Sequence, residues 1–227
     1  GDIGPWPDGS TEPRLIAIPR FDRVVHEHAP ATGSSERFPP ITRVHQEDLC
    51  QITGRRPGQK YQAGGGPTLR DLATTIRRCS EAPDADLQDA LTMAVANVCL
   101  GNGDAHGKNF ALLCDANGGR RLAPFYDVVS TDVYPSLTPT FSMTFGHAQR
   151  ASGLSARDLD RLARDFGVSS SLVRTTVEAV TTTLPRELDR VLDGVEREIG
   201  ASTLVLQRLA DLVRARAVQL ESLLARA

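Results

Sequence analysis

The stretch Gly101-Asn102-Gly103-Asp104-Ala105-His106-Gly107-Lys108-Asn109 separates two apolar segments. Before it, Leu87, Leu91, Ala94, Val95 and Val98 recur at helical steps and predict a helix over 86–100 with one buried face. Gly101 and Gly103 stop that helix. After it, Phe110 to Cys114 and Arg121-Leu122 flank Ala116-Asn117-Gly118-Gly119. Asn-Gly tolerates the positive φ angles of a tight turn, so a β-hairpin is predicted there. The quoted stretch is polar and glycine-rich, a composition better suited to a functional loop than to core.

Outward from this centre the chain is mostly helical. Gly64-Gly65-Gly66-Pro67 punctuates, and Thr68 caps a helix reaching about Cys79. Gln46 to Thr53 reads as a short helix ended by Gly54. Leu15 to Ile18 reads as a strand closed by Pro19, residues 26–40 as a mobile loop, and Gly1 to Pro13 as a linker. Downstream, Ser155 and Asp158 form a capping-box pattern opening a helix to Phe166. Helices are expected at 169–194 and 200–226, the last with Leu206, Leu209, Val213, Ala217, Leu220 and Leu224 on one stripe. The prediction is a mainly α protein with a small β-hairpin, divided into a flexible segment over 1–14 and one domain over 15–227.

Composition sets bounds. The 227 residues carry a net charge of -2, with 40% hydrophobic and 24% charged residues. No basic excess provides an electrostatic footprint for nucleic acid. No apolar run approaches the roughly 18 residues that span a bilayer, and the N-terminus lacks the order of a signal peptide. Cys50, Cys79, Cys99 and Cys114 are scattered, which fits reduced thiols in a cytoplasmic protein. The chain starts at Gly1 rather than Met, so the natural protein is expected to continue upstream, unless a tag was cut there.

Asp104 and Asn109 stand five apart, the D-x-x-x-x-N spacing of protein-kinase catalytic loops. A carboxylate accepts the hydroxyl proton there, and hard oxygen ligands hold magnesium against phosphate charge. Asp127 follows the predicted hairpin, where kinases place their second magnesium ligand. Each residue alone has a plainer reading: Asp104 as an Asx turn, Asn109 as a turn residue, Asp127 as a cap. Loop, hairpin and Asp in that order favour the joint one.

The chain resembles the C-terminal lobe of HipA-type serine/threonine kinases, toxins of bacterial toxin–antitoxin systems. The resemblance rests on Arg20-Phe21-Asp22-Arg23, His45 to Gln51, Lys60-Tyr61 with Gly65-Gly66-Pro67, Asp104 to Asn109, and Pro124-Phe125-Tyr126-Asp127. It runs from residue 15 to about 130. It implies a helical kinase-like C-lobe with a small β-hairpin between catalytic loop and magnesium-binding Asp. Asp104 would be the base, Asn109 and Asp127 would ligate Mg2+, His106 would support the loop, and Lys108 would neutralise phosphate charge. Arg20, Phe21 and Asp22 belong to a hinge strand, Leu15 to Arg23, expected to hold the adenine of ATP. Family members phosphorylate a protein Ser or Thr, an aminoacyl-tRNA synthetase being the best-known target. Many pair with a helix-turn-helix antitoxin, so contact with DNA would be indirect.

Two features depart from the family. No phosphate-covering glycine loop or strand lysine is recognisable, so an N-lobe is expected upstream or on a separate subunit. Pro19 stands where Glu is common and has no N–H to donate. The alternatives are a non-catalytic HipA-like module that binds an antitoxin or partner chain, a small-molecule phosphotransferase, and a metal-dependent nuclease built on His106 and Asn109.

Overall fold

The computed structural model describes residues 19–26, 40–199 and 204–225. The expected strand at 15–18, the linker and most of the 26–40 loop lie outside them. Strand β1 (Arg23–Val25) pairs antiparallel with β2 (Ile41–Arg43) as a separate ribbon. Strand β3 (His45–Asp48) leads directly into the single turn α1 (Leu49–Ile52), with Asp48 and Gln51 forming its capping box. The helix predicted from Gln46 therefore begins three residues later. Gln46 to Asp48 are extended because they pair with a strand far along the chain, which local propensity does not register.

Thr68 caps α2 (Leu69–Cys79) through a reciprocal box with Asp71. Helix α3 (Pro83–Leu100) starts earlier than predicted, with Pro83 in its first turn and Asp84 and Asp86 complementing its dipole. Strands β4 (Ala111–Cys114) and β5 (Arg120–Leu122) form the predicted hairpin, and β4 also pairs with β3 to give the order β3-β4-β5. Helix α4 (Ala156–Phe166) opens on the Ser155–Asp158 box. The long α5 (Ser170–Ile199) and α6 (Leu204–Leu224) complete the described chain.

Helix α3 is the hub, packed against α2, α5 and α6. Leu87, Ala90, Leu91, Ala94, Val95 and Val98 are buried in one core with Leu72, Ile76, Phe166, Val177 and Leu220. Of the predicted α6 stripe, Val213, Ala217, Leu220 and Leu224 are buried, joined by Ala210 and Leu223. No helix among the described residues is long and apolar enough to cross a membrane.

One buried carboxylate joins core to sheet. Asp86 is 1% exposed. It accepts from Arg121 Nε and Nη2 at 3.0 and 2.8 Å, from Ser80 Oγ at 2.5 Å and from the Leu122 N–H at 2.8 Å. Burial alone would raise its pKa. The hydrogen bonds from Arg121, Ser80 and Leu122 outweigh it and hold the carboxyl below its usual range. The start of α3 thereby fixes β5, and β5 leads into Asp127.

Candidate active site

The loop 101–109 leaves α3 through Gly101, whose φ of 66° is left-handed. A Cβ at Gly101 would lie 2.6 Å from Leu212 Cδ2 and 2.9 Å from Asp132 Cβ, so glycine is required on both counts. Neighbouring chain clamps this loop from several sides. Thr131 N–H and Asp132 N–H donate to the Gly101 carbonyl, Ser142 N–H donates to the Gly103 carbonyl, and Gly107 N–H donates to the Lys60 carbonyl. Asp132 is in turn held by Arg216 of α6 at 3.1 Å.

Within the loop, His106 caps the single 3-10 turn Gly107–Asn109. Asn109 Oδ1 accepts from the His106 N–H at 3.0 Å, and His106 Nδ1 accepts from the Lys108 N–H at 3.3 Å. That acceptor role leaves the neutral ring's proton on Nε2, which lies 3.9 Å from Asp104 Oδ2. Burial, then the Lys60 charge, pushes the His106 pKa down, so the imidazole is neutral near pH 7.

The hairpin returns the chain to the loop. Asn109 Nδ2 donates to Asp127 Oδ2 at 2.5 Å, and Tyr126 Oη donates to the Lys108 carbonyl at 2.6 Å. Asp127 has a φ of 55°, a conformation that Asp tolerates better than most residues. Asp104 is partly exposed beside a cavity of about 440 Å³ lined by Tyr61, Gly103, Thr131, Leu137 and Phe141. An apolar groove of about 400 Å³ between α3 and α5 is lined by Thr92, Ala96, Leu172 and Val180 and lies apart from these residues.

The sequence-predicted residues thus fall into groups. Asp104, His106, Asn109 and Asp127 come together. Phe21 stands beside them, its ring 5.6 Å from that of Tyr126. Arg20 and Asp22 are engaged with each other: Nε and Nη2 each donate to the carboxylate at 2.7 Å, and Arg23 Nη1 adds a bond of 2.6 Å. The Arg20 hydrogen bond, against burial, keeps Asp22 below its usual pKa. Burial, then the Asp48 charge, pushes the Cys50 thiol up, and the Lys108 ammonium opposes this only in part.

Two side chains carried no individual role in the sequence reading. Tyr61 Oη donates to Asp104 Oδ1 at 3.0 Å, and its ring meets the His106 ring edge-on at 5.4 Å. Lys60 Nζ sits 4.8 Å from the centre of the Tyr61 ring and feels both Asp104 and Asp127. The glycines that follow are what place this pair. Gly66 N–H donates to the Tyr61 carbonyl, and a Cβ there would overlap that carbonyl at 2.6 Å. Gly64-Gly65-Gly66 is therefore a turn that docks Lys60-Tyr61 on the loop. The N-terminus it leads to is already capped by Thr68 and Asp71.

Fold and site define a helical lobe that presents a carboxylate on a hydrogen-bonded loop beside an amide–carboxylate pair. The family model for the HipA-like C-terminal domain matches residues 7–188, and the chain belongs to that family. It is 33% identical over 217 residues to "Putative kinase Y4mE" of Sinorhizobium fredii, covering 95% of this chain and 49% of that protein. It is 26% identical over 190 residues to the serine/threonine-protein kinase toxin HipA of Shewanella oneidensis, covering 79% of this chain and 41% of that one. The solved Shewanella oneidensis complex of HipA, HipB and operator DNA contains a chain of the same fold. The TM-score is 0.74 at 22% identity, over 91% of this chain and 49% of the other. The chain spans about half the length, or less, of these relatives.

Proposed function

We propose that this chain is the catalytic lobe of a HipA-like serine/threonine kinase that transfers a phosphoryl group from ATP to a protein hydroxyl. The observation that carries this is the 2.5 Å contact between Asn109 and Asp127, with Asp104 on the same clamped loop. Asp104 accepts the proton of the acceptor hydroxyl. Tyr61 orients it, donating to Oδ1, while Oδ2 faces His106 Nε2 at 3.9 Å, beyond hydrogen-bond reach. His106 is neutral and holds the turn that aims Asn109, so it acts by positioning.

The donor set fits Mg2+. Asn109 and Asp127 offer only oxygens as ligands, Asp127 is exposed, and Asn109 Oδ1 keeps a second lone pair beside its bond to His106. The ion, when bound, neutralises charge on the transferring phosphoryl group. Lys60 adds a second positive charge near both carboxylates, and Lys108 is the other candidate for phosphate contact. Phe21 and the adjacent backbone border the adenine, while Arg20 and Asp22 brace that segment. The glycine loop and lysine that grip the triphosphate come from sequence beyond these residues. A helix-turn-helix antitoxin is the proposed partner, in keeping with the HipB of the Shewanella complex. An aminoacyl-tRNA synthetase is the proposed substrate class, and the cytoplasm the proposed site of action.

The test joins this chain to its ATP-gripping lobe and follows Mg2+-dependent transfer of labelled phosphate to a synthetase. Transfer that is absent, or that persists unchanged in Asp104→Asn, overturns the kinase reading. A second reading is a non-catalytic module for an antitoxin or partner chain. Calorimetry separates the two: saturable, metal-dependent binding of a nucleotide analogue by the joined protein excludes the module.

A further inference from the structure

The sheet carries a second constellation that the phosphoryl-transfer site does not use. His45 of β3 and Cys114 of β4 are direct cross-strand partners, and Glu47 lies two residues along β3. Residues two apart on a strand share a face, and directly opposed residues share it too. All three side chains therefore project from the same face. Gln46, between them, projects from the other face, where its amide reaches Tyr126 Oη at 3.4 Å. The ligand atoms of His45, Glu47 and Cys114 lie within 4.8 Å of one another. Among the described residues no other three or more His, Cys, Asp or Glu side chains converge this way.

We propose that His45, Glu47 and Cys114 form a binding site for a zinc-type divalent cation, separate from the magnesium position at Asn109 and Asp127. The donor chemistry selects the ion. An imidazole nitrogen and a thiolate sulfur suit zinc or cobalt, whereas magnesium prefers oxygens alone. Zinc ligation brings donor atoms to about 2.0–2.3 Å from the ion, which requires the three groups to close in by side-chain rotation. His45 is two-thirds exposed at its side chain and Glu47 one-third, so both have room to turn. Arg120, the β5 partner of Cys114, now supplies the positive charge here: Nη2 stands 3.6 Å from Glu47 Oε2. It also bears on Cys114 and on Cys79 at the end of α2. Its side chain is 41% exposed and leaves for solvent when a metal takes its place. The fourth position belongs to water. The bound ion ties β3 to β4 on the face away from Tyr126, a staple on the sheet that carries the hairpin.

Cobalt is the probe, because thiolate-to-cobalt charge transfer reports sulfur ligation directly. Titration of the reduced chain with Co2+ is expected to give one ion per chain, a charge-transfer band, and displacement by Zn2+. Cys114→Ser removes the band. His45→Ala weakens binding about tenfold or more, since even outer-shell changes cost that much at such sites. The double variant Asn109→Ala/Asp127→Ala keeps the band, as does Cys79→Ser. On the unaltered chain, zinc is expected to slow alkylation of Cys114. A wild-type titration without the band, a band that survives Cys114→Ser, an affinity unchanged by His45→Ala, or alkylation of Cys114 indifferent to zinc each overturns the proposal. So does loss of the band in either the Cys79 or the Asn109/Asp127 variant.

Discussion

The two segments that bring carboxylates to the site are built in opposite ways. The loop 101–109 is buried over most of its length and tied to the chain at 60, 131–132 and 142 by backbone hydrogen bonds. The segment 124–130 is largely exposed, and among the described residues it makes no backbone-to-backbone hydrogen bond. It is held by side chains: Tyr126 on the Lys108 carbonyl, Phe21 against Tyr126, and Asp127 on Asn109. The contrast follows the proposed division of labour. A proton acceptor works at one fixed geometry, so its backbone is over-determined. A metal ligand must exchange its amide partner for an ion, and a segment held to the other described residues by side chains can shift to do so.

The sharpest way to break this comparison is to remove the proposed base while keeping the loop. Asp104→Asn in the protein joined to its ATP-gripping lobe is expected to lower phosphate transfer by about 10²–10⁴-fold. The thermal unfolding midpoint should barely move. A parallel fall in stability would make Asp104 a structural residue.

Next comes the anchor of the hairpin. Asp86→Ala leaves the Leu122 N–H and the Ser80 hydroxyl without their acceptor and releases the half-exposed Arg121 to solvent, and is expected to cost about 1–3 kcal/mol by urea unfolding. The folded carboxyl titrates below its unfolded value of about 3.8. Its contribution is therefore complete above about pH 4 and is lost as pH falls through the lower folded pKa. The difference between wild type and Asp86→Ala should shrink in that acid range and stay constant from pH 5 to 8.

Gly101→Ala probes the backbone-clamped loop directly. Overlap with Leu212 and Asp132, added to the left-handed φ, is expected to destabilise by about 1–3 kcal/mol. Hydrogen exchange should rise through 101–109 and leave 124–130 nearly unchanged. The smallest effect sharpens the other side. Tyr126→Phe removes the bond to the Lys108 carbonyl, worth about 1 kcal/mol, together with the long 3.4 Å contact from Gln46. Mg2+ affinity of the joined protein should weaken while loop exchange stays slow, whereas Tyr61→Phe should leave Mg2+ affinity alone.

Much of this was legible in the chain alone, where signals are local. Thr68, Ser155 and Gly101 cap helices through bonds to residues a few positions away, so their patterns announce themselves. Asn117-Gly118 turns the hairpin for the same reason. What stayed hidden depended on distant partners. Gln46 to Asp48 look helical until β4 supplies the opposite strand. Lys60 and Tyr61 look ordinary until the glycine turn at 64–66 lays them on Asp104 and His106.

The sequence by itself determined the order loop, hairpin, Asp, and with it the family, because spacing along a chain is a local property. Only the tertiary structure decided that Asn109 meets Asp127 across the hairpin, that Lys60 and Tyr61 pack together beside Asp104, and that Arg20 and Asp22 engage each other. It alone decided that His45 and Cys114, 69 positions apart in the sequence, stand opposite on paired strands. Strand register and helix packing set those distances through burial and backbone pairing summed over the whole core, and no short stretch of sequence contains that sum.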